Sequence, residues 1–274
     1  MNEIWCNGQW CPANHFPGAA QDRGAILGLG LFETMLCFDG VPVFADRHLT
    51  RLQASCAKLG WSIDLADFKR IATELLQKNA LSTGRARLRL VVTAGSGPHN
   101  DLTPGADRLV WISVFPAGEI PVSMSVCLAP WPRNERSPLA GLKSASYAEN
   151  LVALDHARRM GCDETVFLNT LGNVCEAATA NLFLVKNGVL ATPSLDSGCL
   201  PGIGREVIGH LATEGGIAFQ ECSLTLADLH SADEIFLISA TRGPIAVTCF
   251  EEQKLSAGPV TAAFRQFWQK AISV

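Results

Sequence analysis

The first run that could do chemistry is Gly141-Leu142-Lys143-Ser144-Ala145-Ser146-Tyr147, where the chain's only tyrosine stands four residues after Lys143 and sets a phenol near an amine. The second run with chemical meaning is Pro201-Gly202-Ile203-Gly204-Arg205, glycine-rich and opening a helix. Backbone N–H groups at such a start are available to an anion such as phosphate. These two features alone leave the chemistry underdetermined. The sequence has no Gly-x-Gly-x-x-Gly, phosphate loop, Gly-x-Ser-x-Gly elbow or His-Glu-x-x-His. Its 6 histidines are scattered and its 10 cysteines include no Cys-x-x-Cys pair, so no metal site is expected.

The elements that must position these residues follow from periodicity. Leu36 to Phe44 is an apolar run, an Asp39-Gly40 turn and a second apolar run, the pattern of a tight hairpin. Leu49, Leu52, Cys56 and Leu59 recur at helical spacing after an entry near Asp46, with Gly60 as terminator. A second helix is predicted over 64–78. From Arg85 to Val92 arginines alternate with Ala86, Leu88, Leu90 and Val92, which predicts a half-buried strand. Strands follow around 109–115 and 122–128.

The proline-rich stretch Pro130–Pro138 reads as a linker. It divides the chain into a smaller N-terminal domain, 1–130, and a larger C-terminal domain, 131–274, carrying Lys143. A helix is predicted from Tyr147 to Met160, with Tyr147, Leu151, Leu154 and Ala157 on its inward stripe. Strands at 164–168, 181–185 and 234–239 and a helix at 204–213 complete the pattern. Strands mixed with helices, without strict alternation, argue an α+β fold.

Of 274 residues 48% are hydrophobic, enough for one large or two modest cores. The net charge of −4 is spread evenly, which disfavours nucleic acid and anionic membrane as partners. The apolar runs are too short to span a bilayer, and the first residues lack the charged and apolar regions of a signal peptide. A cytoplasmic location is expected. The cysteines sit within apolar runs and read as reduced core residues.

Several segments together resemble one family, the fold-type IV pyridoxal-phosphate enzymes, or class IV aminotransferases. Gly28-Leu29-Gly30-Leu31-Phe32-Glu33-Thr34 is similar to the family's Gly-Asp-Gly-x-Phe-Glu segment, and His48-Leu49-Thr50-Arg51-Leu52 to its His-x-x-Arg-Leu helix. Lys143 with Tyr147 resembles its Lys-x-x-Asn-Tyr site, and Glu176 to Val185 its central strands. Leu200 to Arg205 resembles its phosphate turn, and Ala232 to Leu237 leads into its closing strand. Six motifs occur in order, from Asp22-Arg23-Gly24 to about Val247. Three positions depart: Leu29 replaces the usual Asp, Ser146 the Asn, and Gly204 a Thr or Ser.

The resemblance implies a two-domain fold like that of D-amino acid aminotransferase, with pyridoxal 5'-phosphate at the domain interface. Lys143 would carry the cofactor covalently, and Glu176 would keep its pyridine nitrogen protonated. Arg51 would clamp the phosphate with a charge-assisted fork. Ile203, Gly204, Ala240 and Thr241 would donate backbone N–H groups to it. Tyr147 would hydrogen-bond the ring's phenolic oxygen. A homodimer is also implied.

Among the subfamilies, Pro138–Lys143, Tyr147–Leu151 and Glu176–Phe183 look most like 4-amino-4-deoxychorismate lyases, which release pyruvate and 4-aminobenzoate in folate biosynthesis. The alternative is an aminotransferase for D-amino acids or branched-chain L-amino acids with a 2-oxo acid acceptor. The loop Thr93-Ala94-Gly95-Ser96-Gly97-Pro98-His99 matches neither the Arg-Gly elements of many lyases nor the Arg-x-His of D-amino acid aminotransferases. Arg242 is the candidate for a substrate carboxylate.

Overall fold

The computed structural model describes residues 2–15, 20–98, 103, 105 and 107–273. His99, the last residue of the loop at 93–99, lies outside the described residues. The chain divides into two compact units, Met1–Gly118 with Leu142–Tyr147, and Glu119–Gly141 with Ala148–Val274.

The first unit holds β1 (Glu3–Cys6), β2 (Gln9–Pro12), α1 (Arg23–Leu27), β3 (Gly30–Phe38), β4 (Val41–Pro42), α2 (Ala45–Lys58), α3 (Phe68–Lys78), β5 (Arg85–Thr93) and β6 (Val110–Pro116). Its strands form one antiparallel sheet in the order β2-β1-β6-β5-β3-β4. The predicted hairpin is present: Asp39 and Gly40 take φ of 45° and 80°, and Phe38 pairs with Val41. In β5 Ala86, Leu88 and Leu90 are buried while Arg87 and Arg89 are exposed, as alternation requires. These residues meet Leu52 and Cys56 of α2 and Leu75 and Leu76 of α3 in one core.

The second unit holds β7 (Ser123–Leu128), α4 (Ala148–Arg159), β8 (Glu164–Leu168), β9 (Val174–Ala177), β10 (Asn181–Lys186), β11 (Val189–Pro193), α5 (Ile203–Glu214), β12 (Phe219–Cys222), α6 (Leu226–His230), β13 (Glu234–Ser239), β14 (Gly243–Phe250), β15 (Gln253–Lys254) and α7 (Pro259–Ile272). The sheet is mixed, ordered β12-β11-β10-β13-β14-β7-β8-β9, with β15 beside β14. Helix α4 packs on β8, α5 on β13, and α7 on β13 and β14. No helix among the described residues is long and apolar enough to cross a membrane.

Two expectations are corrected. The boundary between the units falls at 118/119 rather than 130/131, because β7 pairs in parallel with β14 and β8 of the second sheet. Lys143 belongs to the smaller first unit, since Leu142–Tyr147 is bonded to the start of β3. The inward stripe of α4 also differs. Ala153 and Ala157 are fully buried, whereas Leu151 is 58% exposed and Tyr147 precedes the helix. Small residues let the helix approach β8 closely, so the burying face is the alanine face. Of the ten cysteines, all unbridged, Cys6, Cys37, Cys56, Cys127, Cys175 and Cys199 are buried, as core residues should be.

Candidate active site

In the first unit Lys143 is placed by backbone bonds. Phe32 N donates to the Lys143 carbonyl at 2.9 Å, and Ala145 N to that of Gly30 at 2.7 Å. The Ser146 hydroxyl donates to the Gly28 carbonyl at 2.9 Å, a role for the residue that replaces the family's Asn. The side chain then crosses an aromatic surface: Lys143 Nζ lies 4.5 Å from the Phe32 ring centroid. Tyr147 meets the same ring edge-on at 5.5 Å, and the Arg89 guanidinium carbon is 5.2 Å from it. The structure thus brings Lys143, Tyr147 and Arg89 to one ring. The alternation of β5 marked Arg89 only as a solvent-side cation.

Arg51, on α2, forks onto Glu33 of β3, with Nε 2.8 Å from Oε1 and Nη2 2.6 Å from Oε2. His48 Nδ1 is 2.7 Å from the same Oε2. Both Glu33 and His48 are 1% exposed. Burial pushes the Glu33 carboxyl up, but the Arg51 and His48 contacts outweigh it and hold it at about 2. Burial pulls His48 below its ordinary value, so the ring is neutral and Nδ1–H donates to Glu33. Arg51 is therefore a fixed charge whose plane is set by Glu33. The motif resemblance includes Glu33 and His48 as well as Arg51, but gives no role to the two residues that orient it.

In the second unit Glu176 is 8% exposed on β9. Arg133 Nη1 donates to its Oε1 at 2.6 Å, while Asn181 Nδ2 and Leu200 N donate to Oε2 at 3.2 and 3.0 Å. Arg133 lies 4.0 Å over the Phe167 ring, and its Nε is 3.2 Å from Glu149. Arg133 comes from the stretch read as a linker; the signal that could have found it is that a buried glutamate demands a cation.

Helix α5 begins at Ile203 with Gly202 as N-cap and no side-chain cap bond, so its first N–H groups are not taken by a capping side chain. A Cβ on Gly204 would stand 2.9 Å from Ile238 Cγ1 and 3.5 Å from Ser239 C. Glycine there lets the helix start press against the end of β13. The helix start thus lies against the residues just before the turn at 240–242, and its first N–H groups, with no capping side chain, fit a phosphate monoester. The held carboxylate of Glu176 fits a protonated ring nitrogen, and part-exposed Lys143 fits a carbonyl partner.

Arg242 is tied sideways, with Nε 3.2 Å from Ser239 Oγ and Nη2 2.8 Å from Thr179 Oγ1. The Thr179 hydroxyl donates in turn to buried Glu164, whose carboxyl burial pushes up.

Residues 30–249 match the family described as amino-transferase class IV. A Methanocaldococcus jannaschii protein named provisionally as a branched-chain-amino-acid aminotransferase is 34% identical, over 86% of this chain and 83% of its own. The D-alanine aminotransferase of Listeria monocytogenes is 28% identical over 92% and 90%. The aminodeoxychorismate lyase of Bacillus subtilis is 27% identical over 98% and 94%. Among solved structures, a branched-chain aminotransferase from Thermoproteus uzoniensis with norvaline superposes with a TM-score of 0.93 at 25% identity, covering 99% of this chain and 95% of that one. A Brucella abortus aminotransferase bound to pyridoxal phosphate gives 0.88 at 28%, covering 99% and 100%. The chain belongs to the class IV aminotransferases, enzymes whose cofactor is pyridoxal 5'-phosphate.

Proposed function

We propose that the protein acts as a 4-amino-4-deoxychorismate lyase, with Lys143 as the cofactor-bearing residue. Pyridoxal phosphate, when bound, supplies an aldehyde for a substrate amine and a ring that takes up the electrons of a broken C–H bond. In this reading Lys143 Nζ first holds the cofactor and, once displaced, takes the proton from the substrate carbon bearing nitrogen. Glu176, fixed by Arg133, Asn181 and Leu200, keeps the ring nitrogen protonated. Ile203, Gly204, Ala240 and Thr241 donate to the phosphate, Arg51 balances its charge, and Tyr147 donates to the phenolic oxygen. The ring C–O bond then breaks, the enolpyruvate released takes up a proton to become pyruvate, and the carbocycle, having given up its own proton to Lys143, becomes aromatic as 4-aminobenzoate. A cytoplasmic homodimer is part of the same reading.

The observation that carries the lyase over an amino-acid aminotransferase is the likeness of Pro138–Lys143, Tyr147–Leu151 and Glu176–Phe183 to the lyases. The Bacillus subtilis lyase, of which 94% is matched, agrees. The loop after β5, whose described residues 94–98 are Ala, Gly, Ser, Gly and Pro, favours neither subfamily. A branched-chain aminotransferase is the second reading, favoured by the 34% identity of the Methanocaldococcus relative and the 0.93 TM-score of the norvaline-bound structure. Arg242 beside Thr179, or Arg89 beside Lys143, would then meet the carboxylate.

Two tubes decide. One holds 4-amino-4-deoxychorismate alone; the other holds L- or D-amino acids with 2-oxoglutarate or pyruvate. The lyase yields pyruvate and 4-aminobenzoate in the first without any acceptor. Half-transamination in the second, with no 4-aminobenzoate in the first, would overturn the lyase reading. In either case Lys143→Ala is expected to abolish turnover and the borohydride-fixed cofactor peptide; normal turnover by that variant would refute the assignment of Lys143.

A further inference from the structure

The motif Asp22-Arg23-Gly24 takes no part in the roles above, yet Arg23 is only 1% exposed. A guanidinium at that depth is tolerated only where acceptors meet its N–H groups. Nη1 donates to the carbonyls of Gln21 at 3.0 Å and Gly97 at 2.8 Å, and Nη2 to that of Pro98 at 3.1 Å. The Arg23 backbone N–H adds a bond to the Gly95 carbonyl at 2.9 Å. Asp22, 2% exposed, receives the Thr93 hydroxyl at 2.6 Å on one oxygen and caps α1 with the other, at 2.8 Å from Gly24 N. Gly97 is required by this contact, since a Cβ there would lie 2.5 Å from Arg23 Nη2. Asp22 thus holds the turn at Thr93, and Arg23 holds it at Gly95, Gly97 and Pro98.

The other side of the clamp faces Lys143. The Leu29 N–H bonds to the Arg23 carbonyl at 3.1 Å. Three consecutive carbonyls then serve two neighbours. Gly28 O accepts from Ser146 Oγ, Leu29 O from Ala94 N at 2.9 Å, and Gly30 O from Ala145 N. The entry to β3 is therefore held between the turn that Arg23 fixes and the segment that carries Lys143.

We propose that Arg23 is a positioning residue for Lys143. By locking the 93–98 turn to α1, it fixes the backbone along which Lys143 is laid and from which its amine crosses the Phe32 ring. The proposal rests on the reading that Lys143 bears the cofactor. Misplacement of a reacting group by about 1 Å costs on the order of a hundredfold in rate, so a small shift of this strand entry has a measurable effect.

The test compares holoenzymes of wild type, Arg23→Lys, Gly97→Ala and Leu76→Ala. Arg23→Lys leaves one compact ammonium where a fork had met three carbonyls, and Gly97→Ala pushes the guanidinium aside. Leu76, fully buried in the same unit and remote from the clamp in sequence and bonding, controls for lost stability alone. The readouts are the pH midpoint of the visible absorption of the Lys143-bound cofactor, kcat, KM and Tm. Arg23→Lys and Gly97→Ala are expected to move the midpoint by about half a pH unit or more and lower kcat about tenfold, with KM within about threefold. Leu76→Ala is expected to lower Tm and leave the midpoint in place. An unmoved midpoint in both clamp variants, or an equal shift in Leu76→Ala, overturns the proposal; should Arg23→Lys fail to fold, Gly97→Ala decides it. Borohydride reduction of wild type is read first. A label away from Lys143 would sink the reading beneath the proposal, whereas a label on Lys143 with unmoved variants would sink Arg23's part alone.

Discussion

Arg133→Met is expected to destabilise the protein by about 4 kcal/mol, and most of that loss should vanish when Glu176 is also changed. Both side chains are 11% exposed and the closest N···O distance is 2.6 Å. At an effective dielectric of about 20 and a charge separation of about 4 Å, their attraction is about 4 kcal/mol. Stranding a buried charge by deleting its partner typically costs about 3–5 kcal/mol, the same order. Loss of the 4.0 Å contact with Phe167 adds about 1 kcal/mol. Against this, Asn181 and Leu200 still donate to Glu176 in the variant and soften the penalty. The assay is urea unfolding of cofactor-stripped protein for wild type, Arg133→Met, Glu176→Gln and the double variant, since ligand linkage would otherwise mask the difference. Adding Arg133→Met to Glu176→Gln should cost only about 1–2 kcal/mol, giving a coupling of about 2–3 kcal/mol. Strictly additive losses would refute the claim that Arg133 is there to hold Glu176.

The acid limb of stability should trace to Glu33, whose carboxyl is held at about 2 against an ordinary 4.5. The unfolded chain takes a proton that the folded chain refuses, so about 3 kcal/mol is present above pH 4.5 and lost as pH falls from 4.5 to about 2. His48, kept neutral by burial, begins the loss below about pH 6.5, and Glu33→Gln should flatten the lower part of the urea-midpoint profile; an unchanged profile would count against it. Gly243 has φ of 70°, and a Cβ there would lie 2.5 Å from Trp268 Cδ1, so Gly243→Ala should cost about 2–4 kcal/mol by strain and displacement of α7. A thermal shift of less than a degree would mean that α7 docks otherwise. Sedimentation of the active enzyme should give a dimer, and a fully active monomer would contradict that expectation.

The parts of the fold legible in the sequence are those whose signal is local. The Asp39-Gly40 hairpin and the alternation of β5 need only neighbours, and both stand where periodicity put them. Helix α7 has a signal of the same local kind: Gly258 before Pro259 at the first turn, then Phe264 and Trp268 four apart and buried. The assignment of Leu142–Tyr147 to the first unit was not legible, because backbone hydrogen bonds to Gly30 and Phe32 leave no side-chain pattern. The site divides likewise. Lys143, Arg51 and Glu176 announce themselves through motif order. Arg133 does not, because it is 43 residues from Glu176 and stands in no motif, and the pairing of Glu33 with Arg51, 18 residues apart, joins two motifs that the sequence shows only separately.

Those partners explain how charges suited to a cofactor persist in a folded protein. Arg51 is fixed by Glu33 within the first unit, and Glu176 by Arg133 within the second. A lone buried carboxylate would cost several kcal/mol and be relieved by taking a proton or by unfolding locally. Pairing removes that pressure, so neither group depends on the cofactor to remain charged and in place. The same pairing tempers what each can offer: Arg51 arrives already half-neutralised, and Glu176 shares its charge with Arg133. In the proposed reading, what faces the phosphate at full strength is the start of α5, which has no capping side chain and whose dipole cannot be titrated or turned away. The glycines at 202 and 204 matter for that reason: Gly204 lets the helix reach β13, and a side chain at Gly202 would strike Asn181, one of the donors that hold Glu176.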